Sequence, residues 1–166
     1  MISKSTNAIG AFTTSGANGS VLTTGTRTFS NAGVSYTFNG AAAQNTGNAI
    51  GAAANIRNLT IDNAAGVTLT SATTLSATGT LVFNAGILDI GANNLTLTSG
   101  ATISGAGSTA YVRSASTGQL RQTVGASAVA FPVGNSAYNP LTITNSGTSD
   151  VFGVRVLDAI TTPAPN

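Results

Sequence analysis

The sequence contains no cysteine, no histidine, no tryptophan and no glutamate. Each absence removes a class of chemistry. Without cysteine there is no disulfide framework and no thiolate nucleophile. Without histidine no Ser/His/Asp triad can be assembled, and a zinc site loses its preferred nitrogen and sulfur ligands. Charge is scarce as well: charged residues are 6% of the chain, against roughly 25% in an ordinary soluble domain. The pI near 9.5 reflects only six cations against four acids. Those cations (Lys4, Arg27, Arg57, Arg113, Arg121 and Arg155) are scattered. No run of them could neutralise adjacent phosphates or hold an anionic bilayer, so nucleic acid and membrane surfaces are not expected partners. No apolar stretch approaches the roughly 18 residues of a membrane helix, so no membrane insertion is expected. The opening Met1-Ile2-Ser3-Lys4-Ser5 lacks the apolar core of a signal peptide, and the chain is expected to be a piece of a longer one.

What is present is Ala, Thr, Gly, Ser and Asn in abundance, punctuated by short apolar pulses. Disorder usually combines low hydrophobicity with high net charge, whereas here the net charge is +2 and 42% of residues are hydrophobic. An ordered chain is therefore expected. Helix is disfavoured, because β-branched Thr, Val and Ile are broken every few residues by Gly and Asn. The Ala-rich stretch from Gly51 to Asn55 is too short to form a stable helix.

The pulses fall at Leu59/Ile61, Val67/Leu69, Leu75, Leu81/Phe83, Ile87 to Ile90, Leu95/Leu97, Ile103 and Tyr111/Val112, about seven to nine residues apart. Most alternate apolar with polar, as in Leu59-Thr60-Ile61 and Leu95-Thr96-Leu97, the period-2 signature of a half-buried strand. Above this lies a longer period. Strands run into turn residues at Asn39, Asn63, Asn84 and Gly105, about 24, 21 and 21 residues apart. Asn and Gly tolerate a left-handed backbone at a corner, and stacked Asn side chains can hydrogen-bond to one another, so these positions are expected to line up. A repeat of this length predicts a solenoid. The expected fold is all-β: a parallel β-helix of about 22 residues per coil with three short strands in each. A β-sandwich, which also places strands every 8–12 residues or so, is the alternative.

Coils are expected over residues 1–122, the pattern being weakest over 1–34. Between Ser15 and Gln44 only Val21/Leu22, Phe29, Val34, Tyr36 and Phe38 mark the beat. The texture then changes. Phe131-Pro132-Val133, the alternating Leu141-Thr142-Ile143-Thr144, and Phe152, Val154 and Val156 on one strand face predict a small antiparallel β cap over 123–158. Such a cap would cover the open end of the stack. Residues 159–166, with Pro163 and Pro165, read as a stiff linker.

Asn58-Leu59-Thr60-Ile61-Asp62 and Gly91-Ala92-Asn93-Asn94-Leu95-Thr96-Leu97 are followed by Phe131-Pro132-Val133-Gly134 and Tyr138-Asn139-Pro140-Leu141-Thr142. This run, over most of residues 56–157, resembles the Thr/Asn/Gly-rich repeat segments of large secreted surface proteins of Bacteroidota. Those include adhesins of the gliding-motility kind and related secreted cargo. The resemblance implies an extracellular or cell-surface location, a modular parent chain, and a role in adhesion or spacing. It carries no catalytic residues. The C-terminal sorting domain usual in such proteins is not in this sequence, which implies an internal fragment.

Candidate chemistry is sparse. Parallel β-helices include polysaccharide-active enzymes, whose paired carboxylates must lie within about 5–9.5 Å. The four acids are Asp62, Asp89, Asp150 and Asp158, and the 27-residue separation of Asp62 from Asp89 is not a whole number of coils. No Asp-rich calcium loop and no strand–Gly-rich loop–helix phosphate site is present. Lys4, the sole lysine, lies near one end, which argues against an internal Lys–Asn crosslink. No catalytic, cofactor or metal residues are expected.

Ice binding by stacked Thr-x-Thr is a further alternative, with Thr68/Thr70, Thr96/Thr98 and Thr142/Thr144 as its candidates. The residues one coil beyond Thr68 and Thr70 are Ile90 and Ala92, which interrupt the column. Asn18, Asn58 and Asn94 lie in Asn-x-Ser/Thr sequences, which arise easily by chance in this composition. Tyr36, Tyr111 and Tyr138 could stack on sugar rings or fill the core. The expected function is that of a non-catalytic extracellular structural or adhesion module. Its expected contacts are cell-surface glycans, abiotic surfaces or other copies of itself.

Overall fold

The computed structural model describes residues 1–27, 29, 32–51 and 55–158; the segment 159–166, read as a linker, lies outside them. Among the described residues every regular element is a β-strand. The N-terminal part supplies β1 (Ile2–Ser3), β2 (Tyr36–Phe38) and β3 (Gln44–Asn45). Three full coils follow. The first is β4 (Leu59–Asp62), β5 (Val67–Thr68) and β6 (Thr73–Leu75); the second is β7 (Thr80–Ala85), β8 (Leu88–Asp89) and β9 (Leu95–Leu97). The third is β10 (Thr102–Ser104), β11 (Val112–Arg113) and β12 (Leu120–Val124). Beyond them lie β13 (Val129–Phe131), β14 (Val133–Gly134), β15 (Leu141–Ile143) and β16 (Asp150–Val154).

These strands stack into three faces. The first has the order β1-β2-β4-β7-β10, the second β3-β5-β8-β11-β14, and the third β6-β9-β12-β16. Every pairing within them is parallel except β16 on β12. Parallel neighbours need a long connection between them, which here is the rest of a coil. The fold is therefore the expected β-solenoid, about four turns high, and the sandwich alternative, built on antiparallel hairpins, falls.

Register explains why the repeat is visible yet irregular. On the first face Leu59 aligns with Leu81 and Leu81 with Ile103, so each coil advances by 22 residues. On the second face Gln44, Val67, Leu88, Val112 and Val133 align, with steps of 23, 21, 24 and 21. The third face aligns Thr73, Leu95 and Leu120, with steps of 22 and 25. Strand positions stay in line, and the corners absorb the extra residues.

Alternation within each strand then fills the interior. Tyr36, Leu59 and Leu81 form one fully buried column, and Phe38, Ile61 and Phe83 another. Leu69 and Ile90 line the second corner and Leu95 and Leu120 the third face, all at most 1% exposed. Each such Leu or Ile contributes about 1.5–3 kcal/mol by leaving water. The N-terminal end is closed differently from expectation. Leu22 is 71% exposed, while Ala11 and Phe12, which the sequence pattern did not mark, continue the second face. Their amides donate to Asn45 O at 2.8 Å and Thr46 O at 3.0 Å. Phe12 stands edge-on to Phe29, Tyr36 and Phe38, with centroids 5.9, 5.2 and 5.7 Å away.

The expected column of Asn39, Asn63 and Asn84 does not form. Phe38, Ile61 and Phe83 align, but a bulge follows, so that Asp62 pairs with Ala85 and Asn84 is left exposed as the extra residue. Asn39 stands beside Asp62, and Asn63 is one position further along. Asn63 turns inward instead of stacking. Its Nδ2 donates to Ala42 O at 2.8 Å and Gln44 Oε1 at 2.9 Å, and its Oδ1 accepts the Ala65 amide at 2.9 Å. Gly86 makes the bulged corner possible: its φ is +85°, and a Cβ there would lie 1.8 Å from Asn63 O.

At the other end β12 pairs along its whole length with antiparallel β16, and β13 forms an antiparallel pair with β15. Val129, Ile143, Phe152, Val154 and Val156 pack half-buried against the last coil.

Candidate functional site

Outward positions of the strands form columns running up the three faces, and these are where contact with a ligand would occur. On the first face the outward column is Thr37, Thr60, Val82, Ser104, with Thr80 and Thr102 beside it. On the second it is Asn45, Thr68, Asp89, Arg113. On the third it is Thr74, Thr96, Arg121, which faces Gly153 of β16. Neighbouring strands in a sheet lie about 4.8 Å apart, so each column presents one side chain per rung at that spacing, all of them polar except Val82.

Threonine columns are short. Thr37–Thr60, Thr74–Thr96 and Thr80–Thr102 are each two deep, and the last pair shares a hydroxyl–hydroxyl hydrogen bond of 3.1 Å. Thr68 stands between Asn45 and Asp89. Thr70 Oγ1 is engaged at a corner with Thr46 Oγ1 at 3.2 Å and the Gly47 amide at 2.8 Å. The Thr98 hydroxyl donates to Leu75 O at 2.9 Å, and Thr142 sits in the antiparallel pair opposite Ala130. The three Thr-x-Thr sequences thus have three unrelated settings.

The acids do not converge. Asp62 ends a strand on the first face, Asp89 lies on the second, and Asp150 and Asp158 are exposed in the C-terminal unit. Among the described residues no three acidic side chains gather where they could hold a metal ion. Asp89 has a partner the sequence reading missed. Arg113, one coil further, places Nη2 2.5 Å from Asp89 Oδ2, and Asp89 Oδ1 accepts the Gly91 amide at 2.9 Å. The 24-residue separation is one coil on the second face and was the available signal. Beside the pair runs a shallow groove of about 260 Å³ whose floor includes Ala64, Ala65, Gly66 and Gly86.

The tyrosines are structural. Tyr36 is fully buried and its hydroxyl donates to Phe29 O; burial pushes its pKa up to about 12. Tyr111 is buried, donates to Asn135 O at 3.2 Å and packs against Tyr138 at 5.6 Å between centroids. Two of the Asn-x-Ser/Thr asparagines tie coil to coil. Asn58 Oδ1 accepts the Thr80 amide at 2.9 Å and Asn94 Oδ1 the Gln119 amide at 3.1 Å, each from the following coil. Asn18 forms an isolated bridge with Val21 in the N-terminal loop, and its amide donates to Gly16 O at 2.9 Å. Lys4 is exposed.

Among the described residues no helix is long and apolar enough to cross a membrane. Comparison with family models, curated proteins and solved structures gave no match for this chain. The geometry of the faces therefore carries the functional argument.

Proposed function

We propose that this chain is a non-catalytic structural and adhesion module of a larger extracellular or cell-surface protein, working by repetitive contact or self-association. The observation that carries this reading is the outer surface itself. Its outward columns are mostly polar and largely hydroxyl-bearing, interrupted by Val82, Asp89, Arg113 and Arg121, with a single ion pair and no cluster of three acidic side chains among the described residues. A surface of that kind makes many weak hydrogen bonds and no strong single one. Affinity then arises from repetition within the parent chain. Neutral glycans and hydrophilic abiotic surfaces are the matching targets, because each offers a dense array of uncharged donors and acceptors.

The two other readings find less support. Stacked Thr for ice binding runs out after two rungs in every outward column. A carboxylate pair for polysaccharide cleavage would have to join Asp62 and Asp89 across two different faces.

The test is adhesion of the chain as a monomer and as a linked tandem pair, on immobilised polysaccharides and on glass. Retention of the tandem at least about a hundred-fold above the monomer supports multivalent contact. No retention of either form on any surface, with the chain monomeric at all concentrations, overturns the proposal.

A further inference from the structure

After β12 the chain leaves the path of the coils. β13 pairs with antiparallel β15 and not with β10, the last strand of the first face. A groove of about 440 Å³ opens between β10 and β13, lined by Ile103, Ser104, Gln122, Val129 and Tyr138, among others, and by no charged side chain. Its volume falls in the range of small-molecule sites, about 300–1,000 Å³. Ile103 and Val129 are half-buried and offer apolar surface, while Ser104 is exposed. Tyr138, its ring against Tyr111, is half-buried at the side.

Gln122 is the residue out of keeping with its position. It stands third in an inward column of the third face, after Leu75 and Leu97, which align with it coil by coil. The two leucines are 0% and 2% exposed, and Gln122 is 6% exposed. Its Nε2 donates to Ala130 O at 2.8 Å, tying β12 to β13. Its Oε1 takes no hydrogen bond among the described residues. A nearly buried acceptor without a donor is costly, and a leucine here would have continued the column without that cost. The groove offers the reason. Gln122 belongs to its lining, so a donor bound there completes the amide.

We propose that this groove binds a neutral saccharide ring, one hydroxyl of which donates to Gln122 Oε1. The C–H face of the ring lies on Ile103 and Val129, and the Ser104 hydroxyl meets a second ring hydroxyl. A lining without charge gives an anionic ligand no counter-charge. An extended peptide fits less well, because Ala130 O on β13 is already engaged by Gln122. One weak site per copy gives repetition within the parent chain something to multiply. The inference rests on the neutral-glycan arm of the proposed function and names a site for it.

The test is an amide NMR titration of the intact, isotope-labelled chain with cellobiose, maltose, mannobiose and diacetylchitobiose. Cyclohexanol, a ring with a single hydroxyl, is the control. Saturable shifts of the Gln122 side-chain amide and of the Ile103 and Ser104 backbone amides are expected with at least one disaccharide, and none with cyclohexanol at the same concentration. Gln122→Leu, which continues the leucine column, should weaken that binding about three- to ten-fold, the worth of one hydrogen bond. Ser104→Trp, at an exposed position on the groove wall, should abolish it. Thermal melts establish that both variants are folded; if either is not, the wild-type shifts decide alone. Unchanged affinity in a folded Gln122→Leu confines the amide to tying β12 to β13 and overturns the proposal, as do equal shifts with cyclohexanol. Absence of groove shifts with all four sugars overturns it too. Multivalent contact through the outer faces then stands if the tandem pair is still retained on polysaccharide, and falls with the groove if it is not.

Discussion

Gln44 and Asn63, on successive coils, meet inside the solenoid with Asn63 Nδ2 2.9 Å from Gln44 Oε1. Gln44 is 1% exposed and occupies an inward position that Val67, Leu88, Val112 and Val133 fill in the coils above. Its Oε1 also accepts the Gly40 amide at 2.8 Å, and its Nε2 donates to Ser3 O and Ser5 O, each at 3.0 Å. One amide thus fastens the first coil to the corner of the next.

Replacing Gln44 by leucine should be costly even though leucine suits a core. The change removes the partner of the buried Gly40 amide, of one Asn63 Nδ2 proton and of the Ser5 carbonyl, while Asn63 Nδ2 keeps Ala42 O and Ser3 O keeps the Asn39 amide. A loss of about 2–4 kcal/mol is expected, at about 1–3 kcal/mol for each buried group left unsatisfied and allowing for partial relaxation. Urea unfolding of Gln44→Leu checks it; a change under about 0.5 kcal/mol would show that water or rearrangement supplies the missing partners.

Position in the stack should set the cost of emptying a core column. Leu81 is covered from both sides, by Leu59 below and Ile103 above. Leu81→Ala is expected to lose about 2–5 kcal/mol. Ile103→Ala, at the open end of the same column, should lose clearly less than Leu81→Ala. Equal losses in chemical denaturation would mean that the end of the column is covered in solution.

Tyr36 predicts an alkaline limit. Its hydroxyl ionises near pH 10 in the unfolded chain and near 12 in the fold, because burial disfavours the phenolate. The stabilisation is fully present below about pH 10 and is lost as pH rises through about 12. Tyr36→Phe should flatten that part of the stability profile while losing about 1 kcal/mol at neutral pH with the bond to Phe29 O. Thermal melts of both proteins between pH 8 and pH 12 test it, and parallel curves would contradict it.

The Asp89–Arg113 pair should matter little for stability. Arg113 is 44% exposed, and exposed pairs contribute at most about 1 kcal/mol. Arg113→Ala should therefore shift the urea midpoint only slightly, and the shift should shrink further at high salt. A loss above about 2 kcal/mol would point to an additional packing role for the Arg113 stem.

What could be read from the sequence was set by the strands, and what could not by the corners. Leu59-Thr60-Ile61 and Leu95-Thr96-Leu97 announce themselves because each side chain is dictated by a two-residue alternation against one core. Corners obey no such rule. The strand register puts Asp62, not Asn63, beside Asn39, so Asn63 falls one position beyond the expected column and turns inward, and the bulge takes Asn84 out of the ladder. The same looseness hid Asp89 and Arg113, whose 24-residue spacing matches one coil on the second face but not on the first. Phe12 escaped notice because its neighbours Ala11 and Thr13 give no alternation, although both are buried.

The direction of the backbone hydrogen bonds has a mechanical consequence. Between coils they run along the axis of the stack, so tension applied between the two ends loads them in series and opens them rung by rung, not all at once in shear. Each released coil of 22 residues liberates about 75 Å of extended chain, at about 3.4 Å per residue. In series within a tether, such a module would lengthen stepwise at modest force and dissipate work before any neighbouring attachment is torn.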